Sequence, residues 1–367
     1  MKISPALALG RLDKVRRNMA SQGVDGLIIP LGGDMKWLIG DETSPSERLT
    51  ALVIKSDETV LVTPSLEYRG LNKMPNVFSI RCWDDGDSPI DLIHELLYGA
   101  SRISFGEQMW ARNVFKLQDA FKGKGVIWQD ATAIISPIRR RKEPAEIAAL
   151  AEVAACVDRV IADLQAGKVL FRGRTERQVA DDVDRLMKSY GHEKVDFVMV
   201  AFGPNVDHPH HEPDNTIIGG GGILQFDIGG SKNGYFSDTT RCLHIGKPSA
   251  EISEAYDLLF KAHAAAVATV KPDVPANQID RVARDIIEQY FPGKFIHRTG
   301  HGIGLEIHEH PFIVKDNYDP LESGNVFSIE PGIYNDRKWG MRLEDIVVVT
   351  DNGAQLLNHT CRDLVAI

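Results

Sequence analysis

LQFDIGG (Leu224–Gly230) and FSIEPGI (Phe327–Ile333) share one plan: an apolar strand, a carboxylate within it, then glycine. Each leads through a turn to a second strand with a further acid. The first partner is GYFSDTTR, with Asp238; the second is GMRLEDIVVV, with Glu344 and Asp345. Two such hairpins, each offering carboxylates toward one point, predict a pseudo-twofold antiparallel sheet with helices outside it. Asp227, Glu330 and Glu344 all interrupt apolar runs. A carboxylate in such a place is costly unless paired or coordinated. Several on adjacent hairpins call for a shared positive partner. A pair of divalent metal ions supplies one; salt bridges to Arg241, Arg337 or Arg342 are the alternative.

Helical patterns surround these hairpins. After Glu143 and Pro144, residues suited to a helix start, Ile147, Leu150, Ala154, Val157, Ile161 and Leu164 recur on one apolar face. TERQVADDVDRLMKSYG opens with a capping box, Thr175 and Gln178, and closes on Gly191. SEAYDLLFKAHAAAVATV and ANQIDRVARDIIEQYF predict two more helices. IIGGGG, Ile217–Gly222, precedes a strand, so it reads as a turn and not as a phosphate cradle.

The first ~135 residues alternate helix-like and strand-like segments. LALGRLDKVRRNMASQG predicts a helix ending at Gly23; DGLIIP, TALVIKS, TVLVTP and RISFG predict strands; PIDLIHELLYG and MWARNVFKLQDAF predict helices. No G-x-G-x-x-G follows a strand and no Walker loop occurs, so nucleotide binding has no support. A chain of 367 residues exceeds one usual core. The expected organisation is a small α/β domain over 1–135, a linker over 136–144 and a larger α+β domain over 145–367.

A net charge of −9 argues against a nucleic-acid surface. The RRRK run at Arg139–Lys142 directly precedes a helix start and reads as a solvated linker. No apolar run is long enough for a membrane span or a signal segment. Cys82, Cys156, Cys242 and Cys361 are scattered without CxxC spacing, which suits reduced thiols in a cytoplasmic protein.

HRTGHGIGLEIHEHP, His297–Pro311, adds His301 between two glycines, where backbone can approach a ligand closely, and His308 seven residues on. With Asp227 in FDIGG, Asp238 in SDTTR, Glu330 in SIEPGIY and Glu344 in RLED, the ordered set resembles the five-ligand dinuclear site of prolidase and aminopeptidase P. These are metallopeptidases of the pita-bread fold. The N-terminal third is similar to the creatinase-type domain that precedes the catalytic domain in that family, so the resemblance covers nearly the whole chain.

The resemblance implies roles. Asp227 chelates one metal, Asp238 and Glu344 bridge both, and His301 and Glu330 complete the second. A hydroxide between the metals is the nucleophile, Glu330 relays its proton, and His308 with a histidine of DHPHHEP (Asp207–Pro213) meets the scissile carbonyl. In that tract His210 takes the substrate-facing position, His211 orients the loop, and His208 has no assigned role. Four carboxylates and one imidazole form a hard donor set, which suits Mn²⁺ or Co²⁺, with Zn²⁺ as a further option.

The implied reaction is hydrolysis of Xaa-Pro dipeptides, a small peptide substrate. The alternatives are Xaa-Pro cleavage in longer peptides, metal-dependent lyase or amidohydrolase chemistry on a non-peptide, and a non-catalytic scaffold. Methionine aminopeptidase fits poorly, because those enzymes lack the N-terminal α/β domain.

A dipeptidase must recognise a terminal carboxylate, usually with arginine. Some prolidases place an arginine just after the HExP segment; here that position is Phe312. Arg337 and Arg342 are nearby substitutes, although Arg342 is better placed to support Glu344 through an ion pair. The loop GGDMKWLIGDETSPSERL offers another solution. Family homodimers set this region over the partner's active site, where Asp34 would meet the substrate ammonium and Arg48 its carboxylate.

Overall fold

The structure, a computed structural model, describes residues 3–41, 43 and 45–367. The chain divides into two compact units, Met1–Arg139 and Arg140–Ile367.

In the first unit, in chain order, lie α1 (Pro5–Ser21), β1 (Gly26–Pro30), α2 (Gly33–Ile39), β2 (Ala51–Ile54) and β3 (Thr59–Pro64). They are followed by β4 (Ser79–Trp83), α3 (Pro89–Leu96), β5 (Arg102–Phe105), α4 (Ala111–Ala120), β6 (Ile127–Asp130) and α5 (Thr132–Arg139). The strands form one mixed sheet in the order β4-β3-β2-β1-β5-β6. Strands β1, β2 and β3 are buried along their whole length, as expected of central strands with helices on both faces. Ile28, Val53, Val62 and Ile103 pack there with Ile93 and Leu117 of α3 and α4.

Two expectations need correction. The segment after Gly32, read as a loop, contains helix α2, because Met35, Trp37, Leu38 and Ile39 all bury and Gly40 supplies a left-handed stop. Residues 136–139, read as linker, are the last turn of α5. That helix is held at its start by Asp130, which accepts from the Thr132 amide, and at its end by the Arg139–Asp34 ion pair.

The second unit starts with α6 (Pro144–Gln165), α7 (Glu176–Ser189), β7 (Lys194–Phe202), β8 (Gly222–Lys232), β9 (Tyr235–Ile245), α8 (Ala250–Thr269) and α9 (Ala276–Glu288). It continues with β10 (Gly300–Gly302), β11 (Glu309–Ile313), β12 (Val326–Ile329), β13 (Gly332–Asn335), β14 (Trp339–Arg342), β15 (Asp345–Thr350), β16 (Gly353–Leu356) and β17 (Val365–Ala366). Capping boxes open α6 at Glu143 and Glu146, and α7 at Thr175 and Gln178.

Strands β17-β9-β8-β7 form one sheet and β11-β10-β12-β15-β16 another, while β13 and β14, which lie between β12 and β15 in the chain, pair with each other. Each sheet carries its own helix pair. Val157 and Ile161 of α6, with Val179 and Val183 of α7, cover Leu224, Phe226 and Ile228. Leu259 and Ala262 of α8, with Ile279 and Ala283 of α9, cover Phe327, Ile329 and Val347. This is the pseudo-twofold pita-bread arrangement. Helices occupy the outside, and the acid-bearing strands are free to face inward.

Candidate active site

Strands β8 and β9 are a regular antiparallel hairpin in which Asp227 faces Thr240 and Gly229 faces Asp238. Opposed residues and residues two apart on a strand share one face, so Asp227 and Asp238 are diagonal neighbours. The second hairpin is interrupted. Strand β12 pairs Ile329 with Asp345, and the pairing resumes only at Gly332 with Arg342. Glu330 and Pro331 oppose Leu343 and Glu344 across the gap. Proline has no N–H to give a ladder, so the flanking amides turn elsewhere. Glu330 N donates to Thr299 O at 2.8 Å, and Glu344 N to Thr240 O at 3.3 Å. The latter bond joins the second hairpin to the first.

His301 lies on β10 between Gly300 and Gly302. A Cβ at Gly300 would stand 1.8 Å from the Ser328 carbonyl oxygen, and one at Gly302 would stand 2.3 Å from that of His310. These glycines therefore let backbone approach backbone; the expected approach to a ligand is not their purpose. The His301 amide donates to Ser328 Oγ. Its Nδ1–H donates to Gly302 O at 3.1 Å, which leaves the Nε2 lone pair facing Glu330 Oε1 at 3.3 Å and Asp238 Oδ2 at 3.6 Å. Burial presses the His301 pKa down to about 4, so the ring is neutral, the form that binds a metal.

The acids divide by partner. Asp227 Oδ2 accepts from Arg342 at 2.5 Å, while its Oδ1 is buried without a hydrogen-bond partner. Asp238 and Glu344 are both buried. Burial, and then the neighbouring acids, push both carboxyls well above their ordinary range. Ligand atoms of Asp238, His301 and Glu344 all lie within 4.8 Å of one another. Thr240 Oγ donates to Glu344 at 2.8 Å and Ser328 Oγ to Glu330 at 3.1 Å, fixing each carboxylate from behind. An orphaned buried oxygen, mutually repelling acids and an aimed neutral imidazole fit divalent cations. Arginine satisfies only part of the cluster: Arg342 takes half of Asp227, and Arg241 takes Asp345.

These groups line one side of a cavity of about 710 Å³, the scale of a small peptide. His210 and His308 lie on its wall, both exposed. The His308 ring meets the His301 ring edge-on at 4.3 Å. Partial desolvation, and then His301 beside it, hold His308 well below the usual imidazole range. His208 does not line this cavity.

Glu176, His211 and Asp214 form a second group with metal-ligand character. The buried Glu176 carboxylate already receives Phe202 N, Asn205 Nδ2, His211 Nε2 and Asp214 N. It needs no ion. His211 thus fastens the tract from one side, and Arg342, donating to Pro209 O at 3.1 Å, fastens it from the other, leaving His210 between them. Glu176 is not foreseeable from the sequence, where it reads as an ordinary acid in a helix's first turn.

The residues expected to hold the substrate's charged ends fare differently. Arg342 is buried and committed: Nε donates to Thr240 Oγ, Nη1 to Tyr334 Oη and Pro209 O, and Nη2 to Asp227. It supports ligand positions and is not free for substrate. Arg337 sits in the β13–β14 turn, away from the cavity lining. In the first unit, Asp34 pairs with Arg139 at 2.8 Å, and Arg48 pairs with Asp85 through two bonds at 3.0 and 2.9 Å. Both thus have partners within their own unit, where the sequence reading assigned them to substrate. Arg298, three residues before His301, does line the cavity, and the sequence reading passed over it.

Residues 148–351 match the model of metallopeptidase family M24, and residues 11–140 match that of the creatinase/prolidase N-terminal domain. A probable dipeptidase PepE of Mycobacterium bovis is 39% identical over 355 residues, spanning 95% of this chain and 93% of the relative. The crystal structure of dipeptidase PepE from Mycobacterium ulcerans superposes with a TM-score of 0.94 at 40% identity, covering all of both chains. A prolidase from Thermococcus sibiricus superposes at 0.90 with 30% identity, covering 97% of this chain and 98% of that one.

Proposed function

The chain belongs to metallopeptidase family M24, and on that premise we propose that it hydrolyses the Xaa-Pro bond of dipeptides. The observation that carries this reading is the cluster of uncompensated acids and one neutral imidazole on a cavity of dipeptide size. Similarity to proteins described as dipeptidases and a prolidase supports it.

Asp227, Asp238, His301, Glu330 and Glu344, which line one cavity, would hold two divalent ions. When bound, such ions lower the pKa of a water and polarise a carbonyl. Glu330, steadied by Ser328 Oγ, accepts the proton of the attacking water and delivers it to the leaving imino nitrogen. His308 and His210 donate to the scissile carbonyl oxygen, where negative charge develops. Arg342 and Thr240 keep Asp227 and Glu344 in place throughout.

The hard donor set favours manganese as the resident ion. A homodimer and a cytoplasmic location complete the proposal, resting on the resemblance to prolidases and on the scattered thiols. No helix among the described residues is long and apolar enough to cross a membrane.

The test is a substrate panel of Met-Pro, Met-Pro-Gly and Met-Ala with manganese-loaded protein. Met-Pro should turn over best. Preference for Met-Pro-Gly would move the reading to longer peptides, and equal rates on Met-Ala would remove the proline requirement. Light scattering on the same sample decides the dimer.

A further inference from the structure

Two arginines line the cavity. Arg342 has every guanidinium nitrogen engaged, whereas Arg298 is half-buried and no carboxylate among the described residues pairs with it. The Arg298 guanidinium rests on the ring of Phe312, with its central carbon 5.1 Å from the centroid. Strand register sets this contact: His301 faces Phe312 across β10 and β11, and Thr299 N donates to Ile313 O just before it. An aromatic face attracts the flat side of a guanidinium and leaves its N–H edges free for a planar, two-oxygen acceptor. The Arg298 backbone is pinned as well, because its carbonyl accepts from His297 Nδ1 at 2.7 Å.

A free dipeptide carries one such acceptor, its terminal carboxylate. Resting on the dipeptidase reading above, the geometry points to Arg298 as the residue that binds this carboxylate, with Phe312 as its platform. The departure at Phe312 is thereby explained. The position that carries an anchoring arginine in some prolidases here carries the seat for one three residues upstream of His301.

The experiment compares Met-Pro with Met-Pro-NH₂, which lacks the carboxylate, in wild type, Arg298→Ala and Arg298→Lys. A charge-assisted bond of this kind is worth about ten- to a hundredfold. Arg298→Ala should raise the KM for Met-Pro by that factor with kcat nearly unchanged, leave the KM for Met-Pro-NH₂ unmoved, and be partly rescued by lysine. Equal losses on both substrates would overturn the assignment while leaving the peptidase reading intact.

Calorimetry supplies a readout that needs no turnover. Wild-type protein should bind proline more tightly than prolinamide, and Arg298→Ala should erase the difference without changing metal content. Wild-type protein that binds both alike, or neither, overturns the anchor. A clear proline preference lost in Arg298→Ala, in a protein that hydrolyses no Xaa-Pro dipeptide, would keep the anchor and sink the substrate reading instead.

Discussion

Glu344 and Asp345 are consecutive and both buried, yet their surroundings are opposite. On one side of the strand, Asp345 meets Arg241 Nη2 at 2.6 Å, Arg362 Nε at 2.5 Å and His263 Nε2 at 3.1 Å. Burial alone would raise its pKa; Arg241 and its companions overcome this and hold the carboxyl well below the usual range. On the other side, Glu344 meets one hydroxyl and a crowd of acids, and its carboxyl is pushed far upward. The protein has answered one buried acid completely and left its neighbour unanswered. Such a deficit, repeated at Asp238 and half of Asp227, is the mark of a site built for cations from outside the chain.

Substitution should separate the two. Glu344→Gln is expected to lower kcat/KM on Met-Pro by about 10⁴-fold, a scale set by residues that act as one catalytic unit. The fold should survive, with circular dichroism and the melting temperature of the metal-free protein retained or raised. Asp345→Asn should do the reverse. It strands Arg241 and Arg362 without a counter-charge and should cost about 3–5 kcal/mol of stability, measured by urea unfolding, while metal content per folded chain is kept.

Metal removal sharpens the contrast through pH. Asp238 and Glu344 have folded pKa values above their unfolded ones, so their contribution favours folding at low pH and is lost as pH rises through the raised values. Asp345 has the opposite sign: its contribution is present above the ordinary carboxylate pKa and is lost as pH falls below it. Chelated protein should therefore melt at progressively lower temperature as pH rises above the ordinary carboxylate range. Loaded protein should be protected, by about 2.7 kcal/mol when the free ion is 100 times its dissociation constant. A gap between the two curves that fails to widen with pH would contradict the assignment of the repelling acids. The smallest effect is expected from Thr240→Val, which removes the hydroxyl between Arg342 and Glu344. About 1 kcal/mol of stability should go, together with a several-fold loss of metal affinity by competition titration.

The acids were legible because a carboxylate inside an apolar strand is anomalous wherever it falls, and Asp227, Glu330 and Glu344 are all anomalous in that way. The helix faces around them were legible for the same reason of pattern: Leu150, Val157, Ile161 and Leu164 repeat with the turn and bury. What escaped the sequence depended on register and on partners far along the chain. The opening at Glu330–Pro331 follows from where β12 stops pairing. Glu176 acquires its meaning from a loop some thirty residues later. Helix α2 is short and bounded by glycines, so propensity argued for a loop while burial of Trp37 and Leu38 decided for a helix. Arg298 was hidden by register, since only the β10–β11 pairing brings Phe312, fourteen residues on, beneath it.

The most direct measurement is manganese titration into chelated protein, with bound metal and Met-Pro hydrolysis followed on the same sample. Activity should rise from near zero and saturate at about two ions per chain, as a two-metal site requires. Hydrolysis that persists without metal, or a protein that binds no ion at these acids, would contradict the account.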